Sequence, residues 1–328
     1  MFTKKALLNI LSLALLLSVG YFWSRELHKH WETIRTYHYA LHTLDLCIAF
    51  SLTMLAFLTD TWIFQRCVNR YIRPQLLSFF MGFTLLNTSN MLKYLPGTVW
   101  GYTAQIVWFA KKGVPIASVV YLNALCSLTA ILTSLLIGSA CSLYYAATLG
   151  NKVMWLFLFF LILDVLFLAL GSRFMHLFFR YLYIFFKKEF HILPIASSFL
   201  FSLHLVYLSQ WFFLGLGGYF ALRGIGIEPA FSHIYAIIFS LALSWVIGYL
   251  TIVAPGGIGV RESVMYAILQ HITDVPTSLM LPIVMRLLYL LVDVCLGVLG
   301  SSLAMKWRIF AQTPTGLAQE ARLEAQGV

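Results

Sequence analysis

The sequence predicts an all-α polytopic membrane protein, with about six full spans plus two Pro-Gly re-entrant helix pairs arranged as an inverted repeat. Three observations predict it. Hydrophobic residues make up 61% of the 328 and charged residues only 10%, whereas a soluble domain covers its surface with about 25% charged residues. Long apolar runs recur along the chain. Two of those regions are broken by Pro-Gly, at 96–97 and 255–257, and a short apolar piece follows each break. A mean hydropathy of +0.86 excludes a soluble cytosolic or secreted protein, and the apolar content excludes disorder.

The elements follow in order. Residues 6–23 succeed Lys4-Lys5 and end in bulky Tyr21-Phe22-Trp23 with no small-residue cleavage site, so they read as a first membrane helix rather than a signal peptide. With the external loop after it, this helix makes up 1–39. A second span covers 40–64, with Asp45 and Asp60 near its ends, and Arg66, Arg70 and Arg73 crowd the next loop. Loop arginines are retained on the cytoplasmic side, which also places the N-terminus inside.

Residues 75–93 are apolar until Asn87-Thr88-Ser89-Asn90, and then comes Lys93-Tyr94-Leu95-Pro96-Gly97-Thr98-Val99-Trp100. The following piece, 99–112, reaches only about 21 Å at 1.5 Å per residue, short of a hydrocarbon core about 30 Å thick. Proline lacks an N–H and glycine tolerates a bend, so the pair stops a helix. A long span at 114–147 closes a first unit, 40–147. Residues 148–193 connect it to the next: a span at 153–171, then a basic loop at 172–193 whose apolar middle suits the membrane interface.

The second unit, 194–303, opens with a span at 194–222. An apolar run at 231–253 breaks at Pro255-Gly256-Gly257-Ile258-Gly259-Val260-Arg261-Glu262, a short piece follows at 260–272, and a span at 281–303 closes the unit. The tail, 304–328, carries Lys306 and Arg308 and is expected in the cytoplasm. On this count every strongly basic loop lies inside, and the two units run in opposite directions with a broken helix in matching positions. That pattern points to a midplane site in transporters. Eight full spans fit the charges equally well; helix length favours six.

The net charge of +10, from 22 Lys and Arg against 12 Asp and Glu, sits mainly in short loops and so faces anionic lipid rather than nucleic acid. The five cysteines form no C-x-x-C pair and no legible metal site.

Charges inside a membrane are costly and normally face protein or water. Here they are Asp45, Asp164, His204, Arg286 and Asp293, with Lys93, Arg261 and Glu262 beside the Pro-Gly turns. Arg286 and Asp293 lie seven residues apart on one helix face, fit either for an internal pair or for Arg286 to meet an anionic headgroup. Arg261 begins a short helix after three glycines, where free N–H groups and a guanidinium fork suit an anion; pairing with Glu262 is its other reading. Asn87, Asn90, Trp100, Tyr102 and Gln105 either pack helices or line a polar path. Asp164 and Asp293 are candidates for proton coupling. His38 and His42 stand four apart beside Asp45 but lack the glutamate of H-E-x-x-H, and no metal or other cofactor is expected. No catalytic motif appears, so an enzyme is not expected.

At the two breaks the chain resembles a family, the membrane region of the lysylphosphatidylglycerol synthases and their stand-alone flippase-like relatives. Lys93 to Trp100 is similar to the family's Y-L-P-G-x-V-W element, and Pro255 to Glu262 to its P-G-G-[LI]-G-x-R-E element. Arg286 falls where the family tends to place an arginine. The likeness covers roughly 10–305, and where many relatives carry an acid this chain has Asn123. The resemblance implies an integral protein, in a bacterial inner membrane, that moves a lipid between leaflets. Relatives are associated with aminoacyl lipids, hopanoids and polyprenyl-linked sugars. About 25 residues follow the last span, too few for a synthase domain, so synthase activity is not expected.

The expected function is therefore lipid translocation, with an anionic or modified membrane lipid as partner. Its substrate-binding residues would be Lys93, Tyr94, Pro96, Gly97, Trp100, Asn87, Asn90, Pro255, Gly256, Gly257, Arg261, Glu262 and Arg286. The rival expectations are a membrane transferase acting on lipid headgroups, a partner of a lipid-modifying enzyme, and a small-solute transporter.

Overall fold

A computed structural model describes residues 4–37, 40–92, 100–186, 195–251 and 254–306. Among them there is no strand. The helices are α1 (Lys4–Lys29), α2 (Trp31–Thr36), α3 (Thr43–Tyr71), α4 (Phe79–Met91), α5 (Trp100–Lys111), α6 (Ile116–Ser142), α7 (Ala146–Leu149), α8 (Lys152–Phe186), α9 (Ser197–Gly224), α10 (His233–Leu250), α11 (Val260–Leu269) and α12 (Val275–Lys306). Among the described residues six segments are long and apolar enough to cross a membrane: Thr43–Tyr71, Ile116–Leu149, Lys152–Met175, Ser197–Gly224, His233–Leu250 and Val275–Lys306. The chain is an integral membrane protein of the helical class.

Helix is the form these apolar runs must take, because lipid offers no partner to a backbone N–H or carbonyl. The hydroxyls inside the runs are satisfied locally. Thr53, Thr84, Thr129, Thr133 and Ser134 each donate to the carbonyl four residues back, at 2.6–2.8 Å. Such bonds let serine and threonine sit in a membrane helix without a partner helix.

The central pair is α3 against α9, and its contacts run in opposite directions along the two helices. His42 N–H donates to the Gly224 carbonyl (2.9 Å), Asp45 meets Arg223 (3.5 Å), Asp60 accepts from Gln210 (3.1 Å), and the Tyr71 ring meets Phe199 (5.2 Å). As the residue number rises on α3 it falls on α9, so the two are antiparallel over their whole length. Glycines permit the approach. A Cβ on Gly217 would lie 3.0 Å from Thr53 Oγ1, and one on Gly224 would lie 2.5 Å from Leu46 Cδ2.

The other main contacts cross between the two halves of the chain. Helix α6 packs on α10, and α12 packs on α4. Small residues sit at both crossings: a Cβ on Gly138 would be 3.3 Å from Ala242 Cβ, and one on Gly300 would be 3.3 Å from Thr88 Oγ1. The helices on either side of each break stay together. Helix α5 starts against the last turn of α4, where a Cβ on Gly101 would lie 2.7 Å from the Ser89 carbonyl, and α11 returns along α10, with Arg261 beside Gly248.

The structure moves several boundaries. Helix α3 continues to Tyr71 rather than stopping at 64. Arg66 remains helical because its guanidinium lies 4.9 Å over the Trp62 ring, while Cys67 and Val68 are buried beside it. The basic stretch expected as a loop after 171 is helical to Phe186, as the last part of α8. The run before the second break, α10, is itself apolar and long enough to be a span. Helix α12 begins at Val275, six residues ahead of the expected span, and contains Pro282 in its interior.

A glycine contact gives a direct test of the α3–α9 seam. Gly224→Leu should lower detergent-solubilised stability by about 2 kcal/mol through overpacking against Leu46, read as a fall in thermal midpoint. Gly20→Leu, where nothing lies within 4 Å, should leave the midpoint unchanged.

Candidate functional site

The second break is set by glycine. Residues Pro255–Gly257 form one 3-10 turn, and Gly256, Gly257 and Gly259 have φ of 59°, 69° and 81°. This is the left-handed region, which costs a side chain roughly 1–2 kcal/mol. Three such residues within four positions turn the chain sharply enough for α11 to begin beside α10. Glu262 then fixes the start of α11, its carboxylate accepting from the Gly259 N–H at 2.6 Å. The same carboxylate lies 3.4 Å from Arg286 Nε on α12, so one acid caps a helix and ties it to the next.

Arg261 lies in a slot made by two missing side chains. A Cβ on Gly257 would lie 2.7 Å from its Nε, and a Cβ on Gly248 would overlap its Cγ. Its guanidinium sits 6.0 Å over the ring of Trp245, which stacks on Tyr249 at 5.2 Å and 16° and meets Trp211 edge-on at 6.0 Å.

Arg261 opens onto a cavity of about 580 Å³ among the helices that flank the two breaks, walled by α3, α4, α5, α6, α9, α10, the glycine turn, α11 and α12. Of the residues expected from the sequence, Asn87, Asn90, Gly256, Gly257, Arg261, Arg286 and Asp293 line it together, as do Tyr102 and Gln105. Arg286 and Asp293 do share a face, as their spacing predicts, and both reach the wall. Arg286 makes its ion pair with Glu262.

Other expected residues fall elsewhere. Glu262 stands behind the wall, against Arg286. Trp100 opens α5 half exposed and is no part of the wall. Lys93, Tyr94, Pro96 and Gly97 lie outside the described residues, as does the side chain of Pro255. Asp164 is buried between α8 and α9, where its Oδ1 is 2.9 Å from His204 Nε2. The opposite ring nitrogen, Nδ1, donates to the Leu200 carbonyl at 2.8 Å, since a carbonyl only accepts. Asp45 is taken by Arg223, His38 lies outside the described residues, and no group of three metal-ligating side chains occurs among the described residues.

The wall also holds residues that sequence reasoning passes over. A span closed at 64 puts Asp60 at its end; with α3 extended, Asp60 reaches the cavity and accepts from Gln210 Nε2. Asn123 donates to Gln105 Oε1 at 3.1 Å and to the Val119 carbonyl at 2.9 Å. A hydroxyl chain joins the helices beside the two breaks: Tyr249 lies 3.0 Å from Tyr102 and 2.7 Å from Ser127, oxygen to oxygen. Two sequence signals point here, a lone amide at 210 in an apolar run and the i, i+4 aromatic pair 245 and 249 just before the break.

Formal charge on the described wall is balanced, with Arg261 and Arg286 against Asp60 and Asp293, and Glu262 just behind Arg286. No protein-family model matches this chain, and no curated protein matches it.

The Glu262–Arg286 pair is largely buried, with side-chain exposures of 12% and 15%. Glu262→Ala should therefore cost about 3 kcal/mol by removing a carboxylate from the buried Arg286 and the cap from α11. Pairing it with Arg286→Met should restore much of that loss, measured as thermal midpoints of the purified single and double variants.

Proposed function

We propose that the chain is a lipid translocator of the kind its motifs resemble, the membrane region of lysylphosphatidylglycerol synthases, acting in a bacterial inner membrane with both termini cytoplasmic. The observation that carries this reading is the cavity shared by the helices of both breaks, whose largely apolar wall carries amide, hydroxyl and charged side chains. A lipid headgroup crossing alone loses its water, and each unsatisfied polar group in hydrocarbon costs several kcal/mol. Amides, hydroxyls, carboxylates and guanidinium groups around 580 Å³ of space offer replacement partners while the acyl chains remain in the bilayer.

The finer architecture belongs to the same proposal. The antiparallel α3–α9 pair and the exchanged packing of α6 on α10 and α12 on α4 support an inverted repeat about a pseudo-two-fold axis. Helices α4, α5 and α11, of 13, 12 and 10 residues, are about 20, 18 and 15 Å long. Those lengths support re-entrant pairs. Helix α10, with 18 residues, comes close to a full crossing at about 27 Å, so depth at the second turn is the sharper test. Asp293 is the coupling candidate on the wall; Asp164 is remote from it and acts through the α8–α9 contact. In this reading Arg261 and Arg286 meet the headgroup phosphate, and Gly256 and Gly257 let the backbone approach it.

Two experiments decide the matter. In proteoliposomes carrying a panel of fluorescent lipids, the wild type should accelerate crossing, and Arg261→Ala should slow it tenfold or more at matched, folded incorporation. Protein-dependent crossing that ignores the substitution would keep translocation and displace the site; no crossing of any lipid by folded protein would overturn the function. For topology, Ile258→Cys in a cysteine-free background should react slowly with an impermeant thiol reagent. Fast reaction from the cytoplasmic face alone would replace the re-entrant pair with two full spans.

A further inference from the structure

Two of the five cysteines come together in the fold. Cys67, near the end of α3, and Cys126, in the middle of α6, belong to one packed cluster with Phe64, Val68, Leu122 and Ala130. Positions 64, 67 and 68 share a face of α3, and positions 122, 126 and 130 share a face of α6. Those two faces meet. The helices approach to within 8 Å, Cα to Cα, and the two thiols are hydrogen-bonded to each other. Both cysteines are free thiols.

Their exposures differ. Cys67 is 0% exposed, behind the wall, whereas Cys126 is partly exposed and lines the cavity. Tyr207, itself buried, donates its hydroxyl to the Cys126 carbonyl at 3.2 Å and fixes that turn of α6. The remaining cysteines are out of reach. Cys47 lies on α3 and Cys141 on α6, but they stand about 30 and 22 Å along those helices from the pair. Cys295 is on α12, outside this cluster.

An accessible thiol backed by a buried one is the arrangement of an attacking and a resolving cysteine. We infer that Cys126 and Cys67 form an oxidative modification site for hydrogen peroxide, closing to a disulfide that joins α3 to α6 inside the bundle. The Cys126 sulfur attacks one peroxide oxygen and the O–O bond breaks. The departing hydroxide takes the thiol proton as water, which leaves a sulfenic acid on Cys126. The Cys67 sulfur then attacks the Cys126 sulfur, the S–O bond breaks, and the Cys67 proton leaves with that oxygen as a second water. Two thiols lose two electrons, and one peroxide is reduced to two waters. The new bond joins sulfur atoms already in contact and staples two walls of the cavity together. The site is independent of what the cavity carries.

The test uses the purified full chain, first reduced and then exposed to hydrogen peroxide while folded. Wild type should fall from five thiols, titrated after denaturation, to three. Its digest should contain a peptide pair joined through Cys67 and Cys126, and dithiothreitol should restore all five thiols. Cys67→Ala removes the resolving thiol, so oxidation should stop at a sulfenic acid on Cys126 that dimedone traps. In Cys126→Ala, Cys67 should stay unmodified behind the wall.

Five thiols remaining in peroxide-treated wild type would overturn the site. A disulfide through any other cysteine would overturn it as well, and so would a sulfenic acid that persists on Cys126 with Cys67 present. Oxidation of Cys67 in folded Cys126→Ala would overturn the division into attacking and resolving thiols. The wild-type digest decides the pairing even where either variant fails to fold.

Discussion

Everything in this bundle answers to one constraint: inside a bilayer, a polar group has only the protein to bond with. Helices satisfy their own backbones, and threonines and serines donate to carbonyls one turn back. At the glycine turn before α11 the backbone leaves that arrangement and needs other partners. The protein brings the helices of both breaks around one cavity and lines it with amides, hydroxyls and charged side chains. The cavity is thus the same fact as the broken helices, seen from its polar side.

Close approach is the second consequence. Lipid is as apolar as leucine, so helices gain little from burying leucine against each other and associate instead where backbones come near. The α3–α9 seam uses Gly217 and Gly224 for this purpose, and the crossings of α6 and α12 use Gly138 and Gly300. Around Arg261 the same means serve another end. Gly248 and Gly257 leave a slot that holds a long, flexible side chain in one place, so that packing helps to position its guanidinium.

Much of this is legible in the amino-acid sequence alone. Helical membrane class follows from composition, and both breaks are readable from Pro-Gly within apolar runs. Seven of the expected binding or coupling residues, Asn87 and Arg261 among them, meet on one wall. What sequence cannot supply is depth and pairing. Asp60 is misplaced by a reading in which Arg66 ends the span, when stacking on Trp62 carries the helix past it. Glu262 reads as a ligand or as Arg261's partner, whereas its contacts are Gly259 and Arg286, fixed by a turn whose φ values no spacing rule reveals. Trp100 carries a motif but faces outward, since rotation of a short helix depends on what packs against it.

The Asp164–His204 contact has a bearing on how the protein is made. Helix α8 is the least buried of the six long segments, with 17% of its apolar window inside the bundle, and Asp164 is the one acid along its length. Its partner arrives 40 residues later. At ribosomal speeds of about 5–20 residues per second, that interval lasts roughly 2–8 s. For those seconds a carboxyl group stands in a newly made helix with nothing in lipid to accept it. Pairing with His204 then offsets an insertion cost of about 2.5–3.5 kcal/mol for an unpartnered acid, so the contact favours insertion of α8 and α9 as a hairpin.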